Sequence, residues 1–355
     1  MVADHVPTAA RDGATGPTSP SPHAAAGEDE GPDRNRELTV TVAVLTRRRP
    51  AMLDRLIDSW GRLRAPADCA VRFLVVENDD APQVRAQVED RGSLPLGPLH
   101  YVLEREAGIP FGRNRAAREA IAAGHRLLAF VDDDEMVAAD WLMRLIDAYR
   151  SSGAALIGAP LGIVPAPDGL TWTQRRMHAS LSWRYARKAA LAAARGGLDG
   201  TPGVTIVTNN WLAETAVFAL HGIWFDEAMR FTGGTDAKLS AEVKAAGLPT
   251  AWAADAHVYE DVPPERLSFA YQYRRARDQS NTNFHRKLAT DRALRASVIV
   301  TLPLKALSVV GLALAVPLTN GATLIDVART AGWMAGRIGA LRGGRSMLYR
   351  TTTGS

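Results

Sequence analysis

The sequence predicts an α/β protein built on a mostly parallel sheet. Two patterns carry that expectation. Apolar, β-branched runs of strand length alternate with segments of helical period, the order that produces parallel sheets flanked by helices. Three of the apolar runs also end in polar clusters, at Thr46, at Glu77 to Asp80 and at Asp132 to Glu135. In sheets of this kind ligands sit beyond the carboxyl ends of the strands.

The elements follow in order. LTVTVAVL (38–45) is a buried strand ending at Thr46. Pro50 then opens a helix in which Met52, Leu53, Leu56, Ile57, Trp60 and Leu63 recur at helical spacing. VRFLVV (71–76) is a second strand, and a polar loop leads from it to LHYVLE (99–104). The segment from Phe111 to Ala123 is helical. RLLAFV (126–131) is a strand that runs straight into Asp132, Asp133, Asp134 and Glu135. Trp141, Leu142, Leu145, Ile146 and Tyr149 mark another helix, and AALIGAPL (154–161) another strand.

Four adjacent carboxylates repel one another. One of them can cap a helix; the others call for a cation. The chain has no GxxxxGK[ST] and no GxGxxG after its first strand, so phosphates are not held on a glycine loop. The economical alternative is Mg²⁺ or Mn²⁺ bridging one or two carboxylates to a diphosphate. The remaining aspartates are then free for sugar or ribose hydroxyls.

Composition bounds the rest. With 355 residues, 46% hydrophobic and 23% charged, the chain suffices for one large domain or two ordinary ones. Residues 1–36 hold 5 Pro, 4 Gly and 7 Ala with few bulky apolar side chains, the composition of a disordered tail, and they lack the pattern of a secretory signal. The single cysteine, Cys69, fits a reducing cytosol. Residues 262–350 carry 14 Lys/Arg against 4 Asp/Glu, a charge of +10, which leaves about −6 for the remainder of a chain of net +4. A basic end suits phosphorylated ligands or an anionic membrane; no interleaved aromatic–basic motif marks a nucleic-acid reader.

The motifs VAVLTRRRP (42–50), VVENDD (75–80), GIPFGRNRA (108–116), FVDDDE (130–135), TNNWLAE (208–214) and GGTDAKLSAEVKAAG (233–247) resemble, in order and spacing, those of family 2 glycosyltransferases. With VYEDVPPERLS (258–268) added, the chain is most similar to the branch typified by the succinoglycan-type bacterial exopolysaccharide transferases. The resemblance implies a GT-A fold. It also implies an inverting, metal-dependent transfer from a nucleotide-diphosphate sugar to a glycan, lipid-linked or other hydroxyl acceptor. Carried over by position, Thr46, Arg47, Glu77 and Asn78 lie around the base and ribose, and Arg113 and Asn114 near the base or sugar. Asp132 and Asp133 face ribose and sugar hydroxyls, Asp134 holds Mg²⁺ or Mn²⁺, and Asp236 is the catalytic base.

Two departures stand out. Arg47 replaces the family's usual tyrosine, so base stacking falls to a guanidinium plane. The usual GGED reads GGTD, with Thr235 in place of an acidic group beside the acceptor. Many relatives also carry a histidine at the strand end after this helix. Glu260 occupies that position here and is preferred as the further metal ligand, since a hard cation suits a carboxylate; His257 is the alternative.

Displacement at an anomeric carbon needs a base for the acceptor proton and positive charge on the leaving diphosphate. Gly233 and Gly234 let backbone approach the sugar, while a helix N-cap is the plain structural reading of Thr235 or Asp236. In YQYRRARDQSN (271–281), Arg275 fits either the diphosphate or a solvated helix face. Residues 165–205 are expected on the acceptor side.

Residues 296–317 include 15 apolar side chains among 22, long enough for a ~30 Å hydrocarbon core. Lys305 near the centre costs about 2.5–3.5 kcal/mol there, and Pro303 and Gly311 weaken the helix. Two shorter interfacial or re-entrant helices are therefore expected. The basic tail (Arg329, Arg337, Arg342, Arg345, Arg350) with Trp333 suits an anionic surface, with a packed helical subdomain as the alternative. The division expected is a tail (1–36), a GT-A domain (37–290) and a membrane-associated helical region (291–355) at the cytoplasmic face of the cell membrane. Two other functions fit the same acids. A sugar-phosphate nucleotidyltransferase normally carries a glycine-rich signature after strand one, which TRRRP lacks; an inactive nucleotide-sugar binder has no need of Asp134 and Asp236.

Overall fold

The computed structural model describes residues 37–195, 206, 209–230, 234–290, 294–344 and 346. The expected tail (1–36), residues 196–205, Thr208, Gly233, Arg345 and Arg350 lie outside them.

The chain begins β1 (Leu38–Thr46), α1 (Pro50–Trp60), β2 (Cys69–Glu77), α2 (Arg85–Glu89), β3 (Ser93–Leu94), β4 (Gly97–Leu103) and α3 (Ile109–Ala122). It continues with β5 (Leu127–Asp132), β6 (Glu135–Val137), α4 (Trp141–Ser152), β7 (Leu156–Gly158), β8 (Leu161–Ile163) and α5 (Trp172–Arg195). Then come β9 (Asn210–Glu214), α6 (Ala216–Ala219), α7 (Thr235–Ala245), β10 (Thr250–Trp252) and β11 (Val258–Glu260). Three helices close it: α8 (Phe269–Thr290), α9 (Leu294–Leu318) and α10 (Leu324–Leu341).

The large sheet has the strand order β10-β7-β9-β5-β1-β2-β4-β3. Its parallel centre runs with continuous apolar sequence because both faces are covered. Val40, Val42 and Val44 face Leu53, Leu56, Trp60 and Trp141, while Ala43, Leu74, Leu128 and Phe130 face Ala116, Ala117, Leu239 and Val243. The register sets Thr46 beside Glu77, and Leu45 beside Asp132. The polar strand ends therefore share one edge, as the alternation predicts.

Two strands depart from the sequence reading. β9 runs antiparallel between β5 and β7. AALIGAPL (154–161) forms no single strand. β7 stops at Gly158, and after Ala159 and Pro160, which has no amide hydrogen for a ladder, the chain enters a second sheet of order β6-β11-β8. In that sheet β11 lies antiparallel to β6 with Glu260 opposite Glu135. This pairing carries a distant glutamate to the acidic strand end.

At the C-terminal end the expectation of two short helices is corrected. α9 is one helix of 25 residues with Pro303 inside it. A proline removes one ladder bond, and the leucines and alanines on either side carry the helix past it. α10 lies along α8. Ala328, Gly332, Gly336 and Ala340 recur every fourth residue and are buried as one stripe. A side chain at Gly332 would meet the carbonyl of Tyr273, and one at Gly336 the carbonyl of Arg277. Ser280 Oγ donates to the Trp333 carbonyl at 2.9 Å, and Arg329 Nε to Gln272 Oε1 at 2.9 Å.

This close approach predicts opposite effects from two neighbouring glycines. Gly336→Ala overpacks the contact and should destabilise by about 1–3 kcal/mol. Gly339→Ala, whose nearest new contact is 3.7 Å away at Asn281 Nδ2, should stabilise by about 0.5–1 kcal/mol through the alanine helix preference. Thermal melts of both variants in one buffer check this, and shifts of equal sign and size would refute the stripe.

Candidate active site

A cleft of about 770 Å³ opens beyond the carboxyl ends of β1 and β5. Thr46, Arg47, Asn78, Arg113, Asp132, Asp133, Asp134, Asp236 and Glu260 all line it.

The acidic run is held from several directions. Asp133 is buried; its carboxylate accepts from Thr46 Oγ1 at 2.9 Å and from Arg49 Nη1 at 2.8 Å. Burial pushes its carboxyl above the ordinary range, with Arg49 pulling the other way. Asp132 keeps 40% of its side chain exposed to the cleft, yet the surrounding protein and neighbouring carboxylates push it up to about 7 against the pull of Arg113. Glu135 is buried and accepts from the Asp132 amide at 2.8 Å and from Asn209 Nδ2 at 3.2 Å. Burial, with Asp132 and Asp134 nearby, raises it well above the usual carboxylate value. Glu135 thus closes the acidic turn rather than facing a ligand alone.

Asp236 sits in the first turn of α7. The N-cap there is Gly234, at φ 87° and ψ 10°, a left-handed conformation that suits glycine, and no side-chain cap bond forms. The Asp236 carboxylate instead accepts from Arg113 Nη1 and, at 3.1 Å, from Thr235 Oγ1. Arg113 is buried over the rings of Phe130 and Phe225, at 5.9 and 5.6 Å, and its Nη2 lies 3.7 Å from Asp132 Oδ1. One guanidinium therefore spans the cleft floor between β5 and α7.

On the other side, Glu260 and Asp134 converge on a single atom. Arg266 Nη1 is 2.8 Å from Asp134 Oδ2 and 3.4 Å from Glu260 Oε1. Tyr185 of α5 donates to Glu260 Oε2 at 2.9 Å. Burial raises the Glu260 carboxyl, and the nearby Asp134 adds to this. No group of three or more His, Cys, Asp or Glu side chains gathers as an ion cage among the described residues. Two convergent carboxylates still fit a hard divalent ion that takes its other oxygens from a diphosphate.

Two expected contacts lie elsewhere. Glu77 is wholly buried and does not line the cleft. Its carboxylate accepts from the Gln83 and Val84 amides and, at 2.6 Å, from Tyr101 Oη, which fixes the loop after β2. Asn114 is also buried, exchanging bonds with the Phe225 backbone at 2.9 and 3.0 Å and donating to Glu227 Oε1. Asn78 does line the cleft, but its amide holds the loop through the Glu104 and Glu106 carbonyls and the Gly108 amide. His257 stacks on Tyr259 with ring centroids 6.2 Å apart and is not part of the lining.

The sequence singles out none of Arg49, Tyr185, Lys188, Arg230 and Arg266 individually, yet all of them line the cleft. Tyr185 and Lys188 come from α5, inside the segment expected on the acceptor side. Burial lowers the Lys188 ammonium, with Asp236 pulling it back up. Arg275 of α8 reaches the cleft, whereas Gln272 is buried and donates to the Arg266 carbonyl at 2.8 Å.

Comparison with known proteins adds the family. No protein-family model matches the chain. The succinoglycan biosynthesis protein ExoM of Rhizobium meliloti (strain 1021) is 30% identical over 262 residues, which cover 73% of this chain and 78% of that one. The solved mannosyltransferase PcManGT from Pyrobaculum calidifontis, in complex with GDP-Man and Mn²⁺, matches with a TM-score of 0.54 at 19% identity, over 88% of this chain and 90% of that one. At that identity the likeness speaks for the fold, and the ExoM match for the lineage. Acidic strand ends on a mostly parallel sheet, together with 30% identity to ExoM over most of both chains, lead to one conclusion: the chain belongs to the family 2 glycosyltransferases of GT-A fold, in the succinoglycan-type branch.

Proposed function

We propose that this protein is an inverting, metal-dependent transferase in polysaccharide biosynthesis, moving a sugar from a nucleotide-diphosphate sugar to a hydroxyl of a glycan or lipid-linked acceptor. The observation that carries the reading is a cleft lined both by Asp236 and by Asp132 to Asp134, with Arg113 tied to both sides of its floor. The mannosyltransferase of the same fold binds GDP-Man and Mn²⁺, which supports a nucleotide-sugar donor and a divalent ion here. The name of ExoM supports a role in polysaccharide synthesis.

In this reading Asp236, oriented by Arg113 and Thr235, takes the proton of the acceptor hydroxyl. The oxygen forms its bond to the anomeric carbon as the bond from that carbon to the diphosphate oxygen breaks. The electron pair leaves with the diphosphate, and attack opposite the leaving group inverts the centre. No side chain bonds to the sugar, so one base suffices. Asp134 and Glu260 would hold a divalent ion, which would supply positive charge to the leaving diphosphate. Arg47 offers a guanidinium plane for the base. Asp132 faces the cleft and is poised near neutrality to bond ribose or sugar hydroxyls, while Asp133 is anchored by Thr46 and Arg49 behind it.

The C-terminal helices suit a membrane surface on the cytoplasmic side. Ala296–Leu318 is long and apolar enough to cross a bilayer, and little of it is buried. Val300, Leu304, Leu307, Leu314 and Leu318 form an outward stripe at helical spacing. A 25-residue helix is about 37 Å long.

Asp236→Asn tests the base. Asparagine keeps an oxygen for Arg113 but accepts no proton at neutral pH. Transfer should fall by about 10²–10⁴-fold, while donor affinity barely changes. The assay follows nucleoside diphosphate release and glycosylated product. Near-normal transfer would place the base elsewhere. Pyrophosphate made from sugar phosphate would favour a nucleotidyltransferase, and no turnover by the wild type a binding protein.

The crowded carboxyls fix a pH dependence. Asp132, Asp133, Glu135 and Glu260 are all raised in the folded chain. From about pH 4, where unfolded carboxyls titrate, up to about 7 for Asp132, the folded state holds the extra protons. Stability from this cluster therefore falls as pH rises through that window. Asp79 and Asp226, whose carboxyls are lowered, act in the opposite sense. The informative comparison is therefore Asp132→Asn against wild type, both free of metal and nucleotide. The variant should gain melting temperature relative to wild type between about pH 5 and 7; a relative loss over that range would sink the assignment.

Replacing Leu304, Leu307 and Leu314 together by serine should release the protein from anionic phospholipid vesicles in a flotation assay and leave nucleotide binding intact. Unchanged flotation would instead favour a protein partner for α9.

A further inference from the structure

Arg266 stands where the proposed metal site calls for a cation. It lies in a short turn, Pro264–Arg266, that follows β11 and precedes α8. Its side chain is buried and its Nη1 bridges Asp134 and Glu260. We infer that Arg266 is the resident counter-ion of the Asp134–Glu260 pair, and that a divalent cation enters by displacing it, so that cation and nucleoside diphosphate bind as a coupled pair. The inference rests on the metal-dependent reading above.

The physical argument is an exchange of charges. A guanidinium and a divalent ion repel each other and cannot both sit between the same two carboxylates. A metal ion binding alone takes both carboxylates from a buried guanidinium and breaks that ion pair, which is costly. A diphosphate removes that cost twice over. Its oxygens complete the shell of the ion, and they accept strong charge-assisted bonds from an arginine. Each ligand therefore makes room for the other, which is positive linkage between two binding events.

The surroundings allow this exchange with the backbone fixed. Val262 and Leu267 on either side of the turn are buried in a cluster with Leu170, Met177 and Ile325. The Arg266 amide donates to the Pro263 carbonyl at 2.9 Å, and its own carbonyl accepts from Gln272 Nε2 at 2.8 Å. Only the side chain needs to move. Glu260 keeps the Tyr185 hydroxyl as a partner, and Asp134 keeps Arg49 at 3.7 Å. Both carboxylates thus stay oriented when the guanidinium leaves.

The test is Mn²⁺ binding to the full chain, read by electron paramagnetic resonance of the free ion, with Mn²⁺ alone and with Mn²⁺ plus UDP or GDP. Wild type should bind Mn²⁺ alone at least about tenfold more weakly than Mn²⁺ with the better of the two diphosphates. R266Q removes the competing charge and should bind Mn²⁺ alone about tenfold tighter than wild type, with the gain from diphosphate reduced. R266K keeps a charge but loses the fork that spans both carboxylates; it should fall between, and it decides the matter if R266Q does not fold. Variants that bind Mn²⁺ alone no better than wild type, while wild type binds Mn²⁺ with diphosphate, would overturn the exchange and leave the metal reading intact. A wild type that binds no Mn²⁺ under either condition would overturn the metal reading, and the exchange with it.

Discussion

The constraint on which the cleft depends is electrostatic. Asp132, Asp133, Asp134, Glu135, Asp236 and Glu260 crowd one end of a parallel sheet. Carboxylates this close cannot be gathered by apolar packing; each needs a proton or a positive partner. The partners come from separate parts of the chain: Arg49 just before α1, Arg113 in α3, and Arg266 in the turn before α8. The same ion pairs that make the acids tolerable therefore tie those elements to the end of β5. Where no cation reaches, protonation takes over, and Glu135, buried and raised, sits at that limit.

What the sequence revealed was mostly what periodicity and local order encode. β1, β2 and β5 are legible because each is a short apolar run between breaks, and a parallel register then aligns their polar ends without further information. That Asp132, Asp134 and Asp236 share one cleft is legible because the motifs keep their order and spacing along strands that end on one edge. Glu77 and Asn114 show the limit of that logic. Their positions follow β2 and open α3, close to the cleft in sequence terms, but a side chain at a strand end can turn inward to a loop as easily as outward to a ligand. Glu77 found the amides of Gln83 and Val84, and Asn114 the Phe225 backbone. No pattern in one dimension separates those outcomes.

Long-range pairing accounts for most of the remainder. β9 is too short to announce itself as an antiparallel insertion. Glu260 reaches Asp134 only because a three-residue strand pairs with the continuation of the acidic turn. Arg266 and Tyr185 follow from that pairing and from the path of α5, and neither belongs to a periodic pattern that singles it out. α9 departs from its sequence for a different reason. Proline and glycine suggest breaks, whereas an apolar run of this length gives the helix enough good formers to pass Pro303.

The boundary near residue 290, where the motifs stop, divides helices that share a packed face. α8 presents Tyr271, Arg274 and Arg275 to the cleft on one side. On the other it receives the small-residue stripe of α10 so closely that its carbonyls leave no room for a Cβ at Gly332 or Gly336. The bond from Arg329 to Gln272, and from Gln272 to the Arg266 carbonyl, continues this contact to the turn that carries the counter-ion. α9, which lies between α8 and α10 in sequence, packs mainly on α10 and leaves much of its apolar surface exposed. A single helix thus links the acidic cleft to the apolar end of the chain, and a surface that orders α9 bears on the same helix that positions the turn of Arg266.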